Sequence, residues 1–110
     1  MKLHPLRLGY VPLTDAAPLI VAQELGFAAE EGLDLDLVRL GSWAQSRDYL
    51  AAGAVDAAHM LLPMPIAQRL RLGPAMPDLD LVMVLSQGGQ AIAVSVALAD
   101  AMRAAGHGFD

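Results

Sequence analysis

An α/β fold, with a mostly parallel sheet flanked by helices, is what this sequence predicts, on two observations. Short apolar strand-like runs alternate with helix-like stretches at close spacing, and parallel strands need such crossovers between them. The helix-like stretches are also bounded by residues that start and stop helices: prolines or Ser at their beginnings, glycines at their ends. In sheets of this kind ligands lie outside the carboxyl ends of the strands, where helix N-termini also point. That rule selects three turns: Pro12 to Asp15, Leu40 to Trp43 and His59 to Met64.

Leu6 to Val11 reads as a short buried strand, after which Thr14 or Asp15 caps a helix over about Ala16 to Leu25, closed by Gly26. Pro18 is tolerated because the first-turn N–H groups of a helix have no intrahelical acceptor. Leu33 to Val38 alternates apolar and polar residues at period two, the pattern of an edge or near-edge strand with one wet face. Ser42-Trp43-Ala44-Gln45 matches the capping box, in which the serine accepts from a first-turn N–H and the glutamine reaches back. It opens a helix from Trp43 to Ala52, stopped by Gly53. A third strand follows over Val55 to Met60, then a helix from Pro63 to about Leu72. The Gly73-Pro74 and Pro77-Asp78 steps mark a loop. Leu79 to Leu85 and Gln90 to Ser95 read as a fourth and a fifth strand around a Gly88-Gly89 turn, before a last helix near Ala97 to Ala105.

Composition excludes several functions. A formal net charge of −5, with seven basic residues scattered singly, builds no surface for nucleic acid. No cysteine is present, so there is no thiolate nucleophile, disulfide or zinc-thiolate site. His4, His59 and His107 lack metal-ligand spacing, and no metal or other cofactor is expected. The longest apolar run, Ala16 to Ala22, is far short of the roughly 18 residues that cross a bilayer, so membrane insertion is not expected. The start carries no signal-peptide pattern, which predicts a cytoplasmic protein, or a periplasmic one if the natural start lies upstream. An apolar share of 55% in 110 residues predicts apolar surface that further polypeptide would cover, and hence a fragment of a larger fold.

Trp43, the only tryptophan, falls on a first helical turn beyond a strand end. Its indole N–H is a directional donor suited to an oxyanion, and the helix N-terminus adds free N–H groups and roughly half a positive charge. On residue type alone, a core aromatic is the commoner outcome. Gln90, after Gly88-Gly89, offers two donors and one acceptor where the chain can approach a ligand closely; an ordinary strand-start polar residue is the alternative. Thr14 can donate its hydroxyl, whereas Asp15 would repel an anion and is better suited to a structural role. His59 lies at a strand end beside the same crevice, where it can orient Trp43, although a hydrogen-bonded core histidine is the commoner case. Arg47, one turn after Trp43, is either a source of positive charge or a surface arginine.

Five blocks in order resemble one family: Leu8-Gly9-Tyr10-Val11-Pro12-Leu13-Thr14-Asp15-Ala16-Ala17-Pro18; Ala22-Gln23-Glu24-Leu25-Gly26-Phe27; Ser42-Trp43 with Arg47-Asp48; Gly53 to Leu61 with Pro63-Met64-Pro65; and Gly89-Gln90-Ala91-Ile92 with Val94-Ser95. They look like the opening of the nitrate and bicarbonate-type solute-binding proteins of ABC importers and of the related cytoplasmic nitrate and nitrite sensors. The resemblance implies that residues 1–110 form the N-terminal lobe of a two-lobe, class II periplasmic-binding-protein fold. It implies a function of binding or sensing nitrate or nitrite, and no enzyme activity. It carries ligand contact over to Trp43 and Gln90, with Thr14 and Gly89 beside them and Ser42, Asp15 and His59 supporting. The implied partners are the anion and either an ABC permease or, in the sensor branch, an RNA-binding antiterminator protein. Bicarbonate and sulfonate binders share the scaffold. An enzyme of pyrimidine-synthesis type on the same fold is the catalytic alternative, motivated by His59, and a purely associating half is the third reading.

Overall fold

The computed structural model describes residues 1–108; Phe109 and Asp110, the last two residues of the expected lobe, lie outside the described part. Strand β1 (His4–Tyr10) is central, with β2 (Leu33–Arg39) on one side and β3 (Ala57–Ala58) on the other, all parallel. The α/β class is therefore as the alternating pattern predicts. Strand β2 is an edge strand, and its exposure alternates along Leu33-Asp34-Leu35-Asp36 as period two requires.

Helices α1 (Ala17–Glu24) and α2 (Phe27–Glu30) connect β1 to β2, and α3 (Trp43–Ala51) connects β2 to β3. The turn α2 is too short for a periodicity reading, and it escapes the sequence prediction for that reason. Gly26, with φ at 78°, ends α1 in the left-handed region that only glycine enters freely. The core is small: Val11, Ala16, Ala28, Leu40 and Val55 are its buried apolar residues. Gly9 sits beneath it, and a Cβ built there would come 2.6 Å from Leu40 Cδ1 and 3.5 Å from Val55 Cγ1. The absence of a side chain at position 9 is what lets Leu40 and Val55 seat on β1.

Three expectations are corrected. Neither Thr14 nor Asp15 caps a helix: Thr14–Ala16 is a turn of 3-10 helix, and α1 follows it with Ala16 at its N-cap and no side-chain capping bond. The third strand is paired to β1 only over Ala57–Ala58, although Asp56 and His59 extend the backbone bonding by donating to Arg7 and Gly9 carbonyls at 2.8 Å each. Leu79 to Leu85 and Gln90 to Ser95 form no strands; among the described residues the sheet has three. A strand is stable only where a neighbour accepts its hydrogen bonds, and β3 presents too short an edge to take one. Val82 and Ile92 are 89% and 95% exposed in consequence. Helix α4 (Pro63–Arg69) starts at Pro63 as predicted and ends earlier, while α5 (Val96–Ala104) is capped by Ser95, whose hydroxyl accepts from the Leu98 N–H at 3.1 Å. Neither buries a residue. The radius of gyration of 18.6 Å exceeds the roughly 13 Å typical of a compact domain this long, as an open C-terminal portion requires.

One exposed tie holds β1 to the segment entering β3. Asp56 accepts from the Arg7 backbone N–H at 2.9 Å and from its Nε and Nη2 at 3.2 and 2.9 Å, while Nη2 also donates to the Gly53 carbonyl at 3.1 Å. The side-chain and backbone bonds from Arg7 lower the Asp56 pKa to about 2. A depressed carboxylate contributes stability that is present above its unfolded value of about 3.9 and is lost as pH falls through the folded value. Asp56→Asn is therefore expected to lower stability at neutral pH and to flatten its fall between about pH 4 and pH 2. Urea midpoints collected across that window check it; parallel curves for the two proteins would contradict it.

Candidate functional site

The carboxyl ends of β1, β2 and β3 lie on one edge of the sheet, because the strands are parallel and in close register, with Tyr10 opposite Arg39 and Gly9 opposite Ala58. The three turns selected from the sequence leave from this edge. They bring Asp15, Trp43 and His59 into one cluster, 28 and 16 residues apart along the chain.

Trp43 stands at the first position of α3, half-buried, with its ring centroid 4.9 Å from that of His59 and the planes at 74°. The helix start keeps the serine half of the capping box, while the glutamine reaches one residue past the N-cap. Ser42 Oγ accepts from the Gln45 N–H at 3.0 Å, and Gln45 Oε1 accepts from the Gly41 N–H at 2.6 Å. Ser46 N–H donates to the Ser42 carbonyl at 3.0 Å. Among the described residues this leaves the N–H groups of Trp43 and Ala44 as first-turn donors without a partner, beside the indole. Ser42→Ala is expected to cost about 1 kcal/mol of stability, measured by urea unfolding, because a first-turn donor would lose its acceptor.

His59 is buried, at 7% exposure, and its Nδ1, carbonyl and backbone N–H are each hydrogen-bonded. Its Nδ1 accepts from the Val11 N–H at 3.4 Å, which assigns the hydrogen of the neutral ring to Nε2. That nitrogen faces Asp15 Oδ1 at 3.4 Å. The two groups are close, but the alignment does not make a hydrogen bond, and Asp15 Oδ1 is left buried without one. The His59 backbone is held as well: its carbonyl accepts from Ser46 Oγ at 2.7 Å, and Ser46 is fully buried. Such a histidine is a fixed element of the wall and is poorly placed to shuttle protons to a substrate, which weakens the catalytic alternative.

Thr14 is exposed and lines an open concavity of about 420 Å³ with Tyr10, Pro12, Leu13, Ala17, Ile20 and Arg39. Arg39 escapes the sequence reading, whose alternating strand stops at Val38. Its place at the carboxyl edge, opposite Tyr10, is visible only once the register is known. Arg47 instead pairs with its neighbour Asp48, Nε to Oδ1 at 2.8 Å. Gly89 and Gln90 are exposed on the extended segment beyond Gly88, and among the described residues no hydrogen bond joins Gln90 to the Trp43 cluster. Among the described residues, no group of three or more His, Asp or Glu could hold a metal ion, and no helix is long and apolar enough to cross a membrane.

Comparison with known proteins bears on the family and the fold. The nitrate/nitrite binding protein NrtA of a Nostoc species is 40% identical over 94 residues, covering 81% of this chain and 21% of its own length. The bicarbonate-binding protein CmpA of Synechococcus elongatus is 35% identical over 102 residues, covering 86% and 22%. The crystal structure of the periplasmic nitrate-binding protein NrtA from Synechocystis PCC 6803 superposes with a TM-score of 0.58 at 40% identity, over 63% of this chain and 19% of that one. The chain thus spans about a fifth of the length of these relatives. The model of the NMT1-like family matches residues 1–110, and the chain belongs to that family.

Proposed function

We propose that this chain contributes ligand-contacting groups to a site for a small planar inorganic anion, nitrate or nitrite. The observation that carries the reading is Trp43: its indole N–H, the unpartnered N–H groups of Trp43 and Ala44 and the positive end of α3 form a donor set at the carboxyl edge of a parallel sheet. Thr14 adds a hydroxyl and Arg39 a positive charge from the neighbouring concavity. Gln90 and Gly89 are the second wall implied by the family resemblance, and they reach the anion once the segment carrying them folds over the edge. His59, Asp15 and Ser42 hold the indole and the helix start in place. The reading is non-catalytic, and it is supported by relatives that are named for binding nitrate, nitrite or bicarbonate.

Within this reading the module serves either as part of an importer, with an ABC permease as partner, or as part of a cytoplasmic sensor acting through an RNA-binding antiterminator. Bicarbonate is the second ligand, favoured by the 35% identity to the bicarbonate-binding relative. Fluorescence of Trp43 during titration with nitrate, nitrite and bicarbonate, with chloride as ionic-strength control, tests the proposal. A saturable change with one of the three and none with chloride is expected. Four flat titrations on a chain shown to be folded would remove Trp43 from the site.

A further inference from the structure

We propose that His59 is a positioning residue that fixes the orientation of the Trp43 indole, and that Asp15 fixes His59 in turn. The inference rests on the proposed role of Trp43, but it concerns the wall before any anion arrives. Four observations carry it. The His59 ring meets the indole edge-on at 4.9 Å, so a rotation of either ring breaks the contact. The imidazole is oriented at Nδ1 by the Val11 N–H from the end of β1. Its Nε2 faces a carboxylate oxygen that is buried and has no hydrogen bond, an acceptor that gains from any approach of that N–H. Finally, the His59 carbonyl is tied to Ser46, one turn along α3 from Trp43, so the strand end and the helix start cannot shift independently.

The chain of contacts runs from the 3-10 turn through Asp15 to His59 and on to Trp43, linking the three carboxyl-edge turns through side chains. An exposed tryptophan with a free χ1 would lose rotamer entropy when it engages an anion. A tryptophan already held by His59 has lost it on folding. Asp15 has a further consequence: its charge opposes an anion, and its proximity to Nε2–H sets that charge against the imidazole. The residues facing His59 are Val11 from β1, Asp15 from the 3-10 turn, and Trp43 and Ser46 from α3; the charged Arg47 and Asp48 on α3 are paired with each other.

The experiment is near-ultraviolet circular dichroism of the 110-residue chain without anion, where the tryptophan band reports an indole held in one asymmetric setting. His59→Ala is expected to abolish most of that band while the far-ultraviolet spectrum persists. Asp15→Ala removes a partly exposed side chain, keeps the fold, and is expected to weaken the band and lower the fluorescence anisotropy of Trp43. An unchanged tryptophan band and anisotropy in a folded His59→Ala or Asp15→Ala chain would overturn the proposal. Because these readouts need no anion, they separate a failure of positioning from a failure of the binding reading, which the titrations above decide. Where anion binding is observed, Asp15→Ala is further expected to change the dissociation constant by more than ionic-strength controls do, whereas an equal constant would show that the orientation is irrelevant to binding.

Discussion

Leu40→Ala is expected to remove a large part of the chain's stability, about 2 to 5 kcal/mol by urea unfolding, against the total of roughly 5 to 15 kcal/mol usual for a domain. Leu40 is 1% exposed and is among the largest fully buried side chains. Its backbone N–H donates to the Tyr10 carbonyl at 2.8 Å, so it closes the sheet edge as well as filling the core. With five buried apolar residues in the core among the described residues, Leu40 included, little surrounding mass can collapse into the space it would leave. The geometry supplies a sharper form of the same prediction. Gly9→Ala places a methyl 2.6 Å from Leu40 Cδ1, and Leu40, buried at 1% exposure, must shift to admit it, so this substitution is expected to be destabilising alone by about 1 to 3 kcal/mol. In the Leu40→Ala background the same methyl enters the vacated space, and the double variant is expected to be more stable than Leu40→Ala. Additive losses would show that Leu40 does not seat over Gly9.

Leu40 directly precedes the Gly41-Ser42-Trp43 turn, so stability and site share a hinge point. This also explains what the sequence could and could not reveal. The capping box, the alternation of β2 and the glycine stops are local signals: Ser42 and Gln45 are three residues apart, and each carries its reason within one turn. The Asp15 position misleads because its partner is long-range. Read locally, an Asp before an apolar run is a helix cap; in the fold its carboxylate faces His59, 44 positions away, and α1 begins uncapped. The apolar runs over Leu79 to Leu85 and Gln90 to Ser95 mislead for the same kind of reason. Apolar residues say that a segment seeks burial, but a strand forms only beside another backbone, and none is presented to these segments. The sequence places His59 beside the same crevice as Trp43, and the pairing of β1 with both neighbours brings the two rings to 4.9 Å. Arg39 had no local signal at all.

Trp43→Phe is the substitution with the largest expected effect on function. Phenylalanine keeps the aromatic surface against His59 and the hydrophobic part of the wall, and it removes a single group, the indole N–H. A hydrogen bond to a charged group contributes about 1.5 to 3 kcal/mol, which converts to a loss of affinity of roughly 10-fold to 150-fold. Calorimetric titration with the anion found to bind is the measurement, since this variant has no tryptophan left to fluoresce. Gln90→Ala is the informative comparison. Gln90 is exposed and has no hydrogen bond to the Trp43 cluster, so we propose that it contributes when its segment closes over the carboxyl edge. If it does so, Gln90→Ala weakens binding, and anion addition raises amide-exchange protection from Ser86 to Ser95 in the parent chain. Loss of affinity in Trp43→Phe with none in Gln90→Ala, and no added protection, would mean that the first-turn donors of α3 hold the anion without the second wall. Retained affinity in Trp43→Phe would instead leave the backbone N–H groups of Trp43 and Ala44 as the donors that matter.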